Sequence, residues 1–259
     1  MTQLILSPRN TDDIRALARA ADERGWVVSR LSSWRLPGDS PVAESLAIYG
    51  EPLFARIVAA QCNRVLLEPP LDWLARLPLE LTHRKIRFVR FSELGCLEYP
   101  CFIKPPDDKL FTARVYEDAD ELTRRTDIPD EQEILVSDPV QFAKEFRVHV
   151  VRGTAVSVSR YSEYGELSVC AQDDNCKSAA AFATELFQQV QSFTPPSVVI
   201  DVGLLDGSAW SVVEANPVFG AGIYDGNAAL ILDALVEACH RPKRPDPYLD
   251  QFFRPVELE

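Results

Sequence analysis

The chain has 259 residues, 46% hydrophobic and 25% charged, enough to bury a sizeable core as one large domain or two smaller ones. Its formal net charge of −12 argues against broad affinity for nucleic acid or an anionic membrane, while leaving room for a local basic pocket. No apolar run is long enough to cross a bilayer and the N-terminus lacks a signal-peptide pattern, so a cytosolic protein without a membrane partner is expected.

In chain order, Leu4-Ile5-Leu6 reads as a first strand. Asn10 or Thr11 then caps a helix whose first turn carries Asp12 and Asp13, with Ile14, Leu17, Ala18 and Ala21 as its apolar stripe and Gly25 at its end. Strands are expected at Trp26–Val28, Ser45–Tyr49, Arg64–Leu67 and Ile86–Val89, and helices at Pro52–Ala60, Leu71–Leu77 and Phe91–Leu97. Strands alternating with helices over about the first 95 residues predict a small α/β domain with a parallel sheet. That region holds neither a Gly-x-Gly-x-x-Gly nor a Walker loop.

The pattern changes after Tyr99. Cys101–Lys104 is a short strand, Thr112–Tyr116 a returning one, and Asp118–Thr126 a helix. Glu133–Val136 is strand-like. Lys144–Val151 is a strand with Glu145 and Arg147 on one face and Phe146, Val148 and Val150 on the other. Arg152-Gly153 turns it into the partner strand Ala155–Tyr161. A helix over Ser178–Phe193 and a last helix from about Asn227 to Ala238 follow, and the Pro-rich segment 242–255 reads as a surface extension. His149 is read onto the face opposite Glu145 and Arg147, which favours a core role, and the six scattered cysteines read as free thiols.

The most informative stretch is Val198–Pro217, two apolar strands joined by Asp206-Gly207. Asp201, Glu214 and Asn216 interrupt the apolar runs, and adjacent antiparallel strands can bring their oxygens together. Buried carboxylates need partners, and an all-oxygen set suits Mg²⁺ or Mn²⁺. On this stretch alone, a hairpin with its acids turned to water is an equal alternative. Lys104, Arg147 and Arg160 add three basic residues on apolar strands. Cationic side chains together with metal-binding oxygens are what a polyphosphate requires.

At this point the chain resembles the ATP-grasp superfamily. The resemblance runs in order through Phe102-Ile103-Lys104-Pro105, Glu133 to Val140, Lys144 to Gly153, Ser157 to Tyr161, Val199 to Gly203 and Val212 to Pro217. It is similar above all to a clade of small bacterial and phage members marked by two arginines and a lysine. The resemblance implies an α/β chain, α+β in its ATP-binding part: a pre-ATP-grasp α/β domain over 1–97, an ATP-grasp domain over 98–245 in subdomains 98–135 and 136–245, and a tail over 246–259. It implies that Lys104 contacts the α- and β-phosphates and that Lys109 closes over the nucleotide. It gives Glu133, Leu135 and Val136 to the adenine edge and Asp138 or Glu145 to the ribose. It gives Arg147 and Arg160 a catalytic role toward the phosphates and an acyl phosphate, and Asp201, Glu214 and Asn216 to one or two Mg²⁺ ions.

The implied activity is an ADP-forming carboxylate–amine ligase using ATP. Its partners would be a small-molecule or peptide carboxylate and an amine acceptor, with a homodimer allowed and no nucleic acid. The alternatives are an ATP-binding module without turnover, or a modifier of a protein or RNA end. The loop 105–110 departs from the family in having no glycine, which leaves open how it closes over phosphate. Specificity is expected in the N-terminal domain and in Phe219–Asn227, whose glycines Gly220, Gly222 and Gly226 suggest close approach to a ligand. Tyr224 and Asp225 read equally as substrate contacts or as caps of the last helix.

Overall fold

The computed structural model describes residues 1–38, 42–106, 110–124, 127–206, 208–242, 245–254 and 256. Its first unit is β1 (Thr2–Leu6), α1 (Asp12–Glu23), β2 (Val27–Arg30), β3 (Ser45–Tyr49) and α2 (Pro52–Gln61). Thr11 caps α1 by accepting a hydrogen bond from the Ile14 amide, with Asp12 and Asp13 in the first turn. The strands form a parallel sheet in the order β2-β1-β3. That sheet is shorter than the sequence predicts. β4 (Val65–Leu66) pairs antiparallel with a strand near the C-terminus. After two short helical turns at Trp73–Arg76 and α3 (Leu79–Thr82), β5 (Ile86–Arg90) joins a different sheet.

That second sheet adds β6 (Cys101–Lys104), β7 (Arg114–Tyr116) and, after α4 (Asp120–Thr123), β8 (Glu133–Ser137), in the order β5-β8-β6-β7. The third sheet consists of β9 (Phe142–Val151), β10 (Thr154–Glu163), β11 (Glu166–Cys170), β12 (Ser197–Leu205) and β13 (Ala209–Asn216), with α5 (Cys176–Val190) between β11 and β12. Its order is β11-β10-β9-β12-β13, all antiparallel. The β9–β10 turn is Arg152-Gly153 and the β10–β11 turn Tyr164-Gly165, each with positive φ at both residues, as a two-residue hairpin of this twist requires. The turn residue Gly207 lies outside the described residues.

α6 (Ala228–Ala238), β14 (Cys239–His240) and α7 (Pro247–Asp250) complete the chain. The C-terminal segment is not the surface extension expected from its prolines. Phe252 is buried, Phe253 bridges to Leu67, and the Tyr248 hydroxyl donates to the Gln191 and Thr194 carbonyls. An aromatic pair seated on the core outweighs proline composition here.

The two faces of the third sheet have different partners. Phe146, Val148 and Val150 of β9 pack with Val198, Ile200 and Val202 of β12 against α5. The opposite face turns toward the first unit, where Val199 and α6 share a core with β1, β3, α1 and α2. The polar residues of β9, β12 and β13 lie on this inner face, between the sheet and the N-terminal unit.

Candidate functional site

Register assembles the site. Arg147 of β9 stands opposite Asp201 of β12, and Asp201 opposite Glu214 of β13. Residues directly opposite across antiparallel strands share a face. The Arg147 guanidinium grips Asp201 with two bonds, Nε to Oδ1 at 2.9 Å and Nη2 to Oδ2 at 2.6 Å, and donates Nη1 to the Gly222 carbonyl at 3.0 Å. Asn216 Nδ2 donates to Asp201 Oδ2 at 3.2 Å and to Glu214 Oε1 at 2.8 Å. Lys104, at the end of β6, reaches across from the second sheet to Glu214 Oε2 at 2.5 Å. One unbroken polar chain thus runs from Lys104 to the Gly222 loop.

The charges follow from these contacts. Burial pushes the Asp201 carboxyl up to about 6 against the pull of Arg147, so the pair is ionic at neutral pH. Burial opposes charge on Glu214 too, but Lys104, Asn216 and Arg147 together hold its carboxyl down at about 2. Arg147 is flanked by Tyr161 at 5.5 Å and Tyr224 at 4.9 Å, and those rings stack on each other with centroids 5.1 Å apart. The Tyr161 hydroxyl donates to Glu145 Oε2 at 2.8 Å.

Two hollows meet at this chain. The first, about 290 Å³, has apolar walls from Ile86, Phe102, Leu135, Val140 and Phe142. Its polar groups include Lys104, Ser137, Asp138, Glu145 and Glu214. The second, a cleft of about 830 Å³, lies between Asn216–Gly222 and the N-terminal unit. Asn216 lines the cleft, Glu214 lines the cavity, and a small hollow between Trp73 and Pro217 touches both.

Of the residues the sequence singles out, Lys104, Leu135, Val136, Asp138, Glu145 and Glu214 line the first cavity, and Arg147, Asp201 and Asn216 continue from it. Asp138 is tied back to Lys85, accepting from its amide at 2.9 Å. The segment crossing between the sheets is 138–141 rather than Glu133–Val136, which is a full strand. Lys109 lies outside the described residues.

Three readings are corrected. Arg160 is across from Phe146, on the α5 face, where it bonds Asp173 at 3.0 Å and the Ser168 carbonyl at 3.1 Å. The register shifts between Arg160 and Ser162, turning Tyr161 onto the Arg147 face and Arg160 away from it. Glu133 is exposed at the start of β8 beside Arg90, roughly 13 Å along the strand from Ser137, so it does not reach the cavity. His149 lies on the same face as Arg147, as a two-residue period demands, and is buried there with the core role intact.

Tyr224 and Asp225 do not cap α6, since Asn227 does so by accepting from the Leu230 amide. Tyr224 stacks on Tyr161, and Asp225 accepts from the Ala171 amide. The sequence reading missed Arg84, buried along the first cavity, where burial lowers its guanidinium to about 10 and carbonyls of β13 accept its hydrogen bonds. It also missed Tyr49 and Asp13. The Tyr49 hydroxyl meets Asp13 and the Ala221 carbonyl at 3.1 Å each, and Asp13 also accepts from the Ile223 amide.

A divalent ion would find a small donor set here. Asp201 spends both oxygens on Arg147, so the oxygens left for a cation are those of Glu214 and the Asn216 Oδ1. Among the described residues no group of three or more His, Cys, Asp or Glu side chains is placed to hold a metal. Two protein oxygens beside a lysine fit Mg²⁺ when phosphates and waters supply the remaining ligands.

A family model for the ATP-grasp domain, family 2 of the clade named for two arginines and a lysine, matches residues 81–234, more than half of the chain. The chain belongs to this family. No curated protein matches its sequence significantly. Among solved structures it is similar to a RimK domain protein ATP-grasp from Sphaerobacter thermophilus, with TM-score 0.56 and 16% identity over 91% of this chain and 99% of that one. D-alanine–D-alanine ligase from Bacillus anthracis gives TM-score 0.55 and 11% identity over 92% and 96%. L-amino acid ligase from Bacillus licheniformis gives 0.53 and 14% over 99% and 78%. At these identities the likeness establishes the ATP-grasp fold.

Proposed function

We propose that this ATP-grasp chain is an ATP- and Mg²⁺-dependent ligase that joins a carboxylate to an amine through an acyl phosphate, releasing ADP and phosphate. One observation carries the reading: an apolar cavity for a base and a larger polar cleft meet at Lys104, Glu214 and Asn216. The named ligases among the structural neighbours support amino-acid-type substrates. The proposed division is a substrate-shaping N-terminal unit over 1–97 followed by the ATP-binding part over 98–245.

Adenine would lie between Phe102, Leu135, Val140 and Phe142, with backbone groups of Val136 to Asp138 at its edge. Asp138 and Glu145 would border the ribose. Lys104 would leave Glu214 for the α- and β-phosphates, a short swing for a flexible ammonium. Glu214 and Asn216 Oδ1 would hold the metal. When bound, Mg²⁺ would neutralise charge building on the transferred phosphoryl oxygens. Arg147, held by Asp201 and flanked by two rings, would keep a fixed positive charge beside the reacting carboxylate. Arg160 has no part in this assignment.

The test is phosphate release with ATP, Mg²⁺ and a matrix of amino acids as carboxylate and amine. A pair that raises release above the ATP-only rate, with loss in Glu214→Gln, supports ligase turnover. ATP binding without release for any pair favours the ATP-binding module instead.

A further inference from the structure

The 830 Å³ cleft lies where the N-terminal parallel sheet changes direction. β2 and β3 flank β1 on opposite sides, so the crevice at the carboxyl ends of β1 and β3 is a topological switch point, the usual ligand position in such sheets. Ser7 follows β1 there, and Gly50 and Glu51 follow β3. Gly50 is required by this closeness: a Cβ on it would come within 2.6 Å of Ser7 Cβ and of the Phe54 ring.

Two polar atoms of this crevice are buried without a partner, Ser7 Oγ and Glu51 Oε2. Ser7 itself is fully buried. The other Glu51 oxygen, Oε1, faces the largely exposed Arg9, and Glu51 makes no capping bond to α2. Asp13, on the same cleft, receives its Tyr49 and Ile223 bonds at Oδ2. Arg56 is engaged by Glu68 at 2.8 and 2.6 Å. A carboxylate oxygen can only accept, and leaving it buried and unpaired is costly. The group that satisfies it must bring N–H or O–H. An anion is disfavoured, because Glu51 already places negative charge at the start of α2.

We propose that this crevice is an ammonium subsite: Glu51 Oε2 and Ser7 Oγ, with Asp13 beside them, receive the primary amine of a substrate, from a free amino acid or a peptide N-terminus. The inference rests on the ligase reading above and assigns its acceptor end to the N-terminal unit.

The experiment is calorimetric titration of the full chain, with a non-hydrolysable ATP analogue and Mg²⁺ present, against amino-acid amides, tripeptide amides and their N-acetylated forms. At least one free-amine compound should bind, and its N-acetylated form should not. Glu51→Gln should weaken that compound roughly tenfold or more, the size expected for a charged hydrogen bond, and Ser7→Ala should weaken it less. Affinity for the ATP analogue should be unchanged in both variants, which also reports that they fold. Binding by amides against binding by tripeptides alone separates the two sources of the amine. Absence of binding by every free amine, or equal binding of acetylated forms, overturns the subsite while the analogue still binds. Loss of analogue binding by the unaltered chain would instead sink the ligase reading itself.

Discussion

At the scale of single residues, the Arg147–Asp201 pair organises the site. It is buried, bidentate and flanked by Tyr161 and Tyr224. Removing one partner strands a charge in the interior, which costs about 3–5 kcal/mol, whereas replacing both with apolar residues avoids that cost. Arg147→Met should therefore lower stability by that amount in urea unfolding, and Arg147→Met combined with Asp201→Leu should recover most of it. His149 gives a pH signature. Burial and then the Arg147 charge hold its imidazole down at about 3, against an ordinary 6.5. The unfolded chain takes up a proton below 6.5 that the folded chain refuses, so stability falls as pH drops through that range. Between about pH 7.5 and about pH 5.5 the loss from this group is about 1.4 kcal/mol. His149→Leu should lose that much less stability than the unaltered chain over the same interval. Asp201 works in the opposite sense below about 6, but it does so in both proteins and cancels in the comparison.

At the scale of elements, strand parity predicts the faces of β9, β12 and β13, and the Asp206 hairpin reads directly from its turn and flanking valines. That is why Asp201, Glu214, Asn216 and Arg147 are legible as a group. Parity fails at Arg160 because the register shift in β10 leaves no mark in composition, and one residue of slip exchanges faces. Sequence overestimates the short parallel sheet because β4 and β5 look like any apolar strand, and their partners, β14 and β8, are distant along the chain. Ser7, Tyr49 and Glu51 are invisible in sequence for a similar reason: the crevice exists only once β1 and β3 are neighbours. The face assignments make a paired prediction. Lys104→Met should weaken ATP roughly tenfold or more, as loss of a charged phosphate contact, while Arg160→Gln should leave ATP affinity within about twofold. Isothermal titration measures both. A strong ATP defect in Arg160→Gln would contradict its position on the α5 face.

At the scale of the whole molecule, the nucleotide cavity is walled by the second and third sheets together. Lys104 from one pairs with Glu214 from the other. A ligand in that seam ties the two sheets together and must stabilise the folded chain against the unfolded one. The measurement that tests the account most directly is unfolding with ATP plus Mg²⁺, with ATP alone and with Mg²⁺ alone, for the unaltered chain and Glu214→Ala. At about one hundred times the dissociation constant, one bound ligand adds about 2.7 kcal/mol. The account predicts a rise with ATP that is largest when Mg²⁺ is present and loses its metal dependence in Glu214→Ala. No shift at millimolar ATP, or an equal metal-dependent shift in Glu214→Ala, would contradict it.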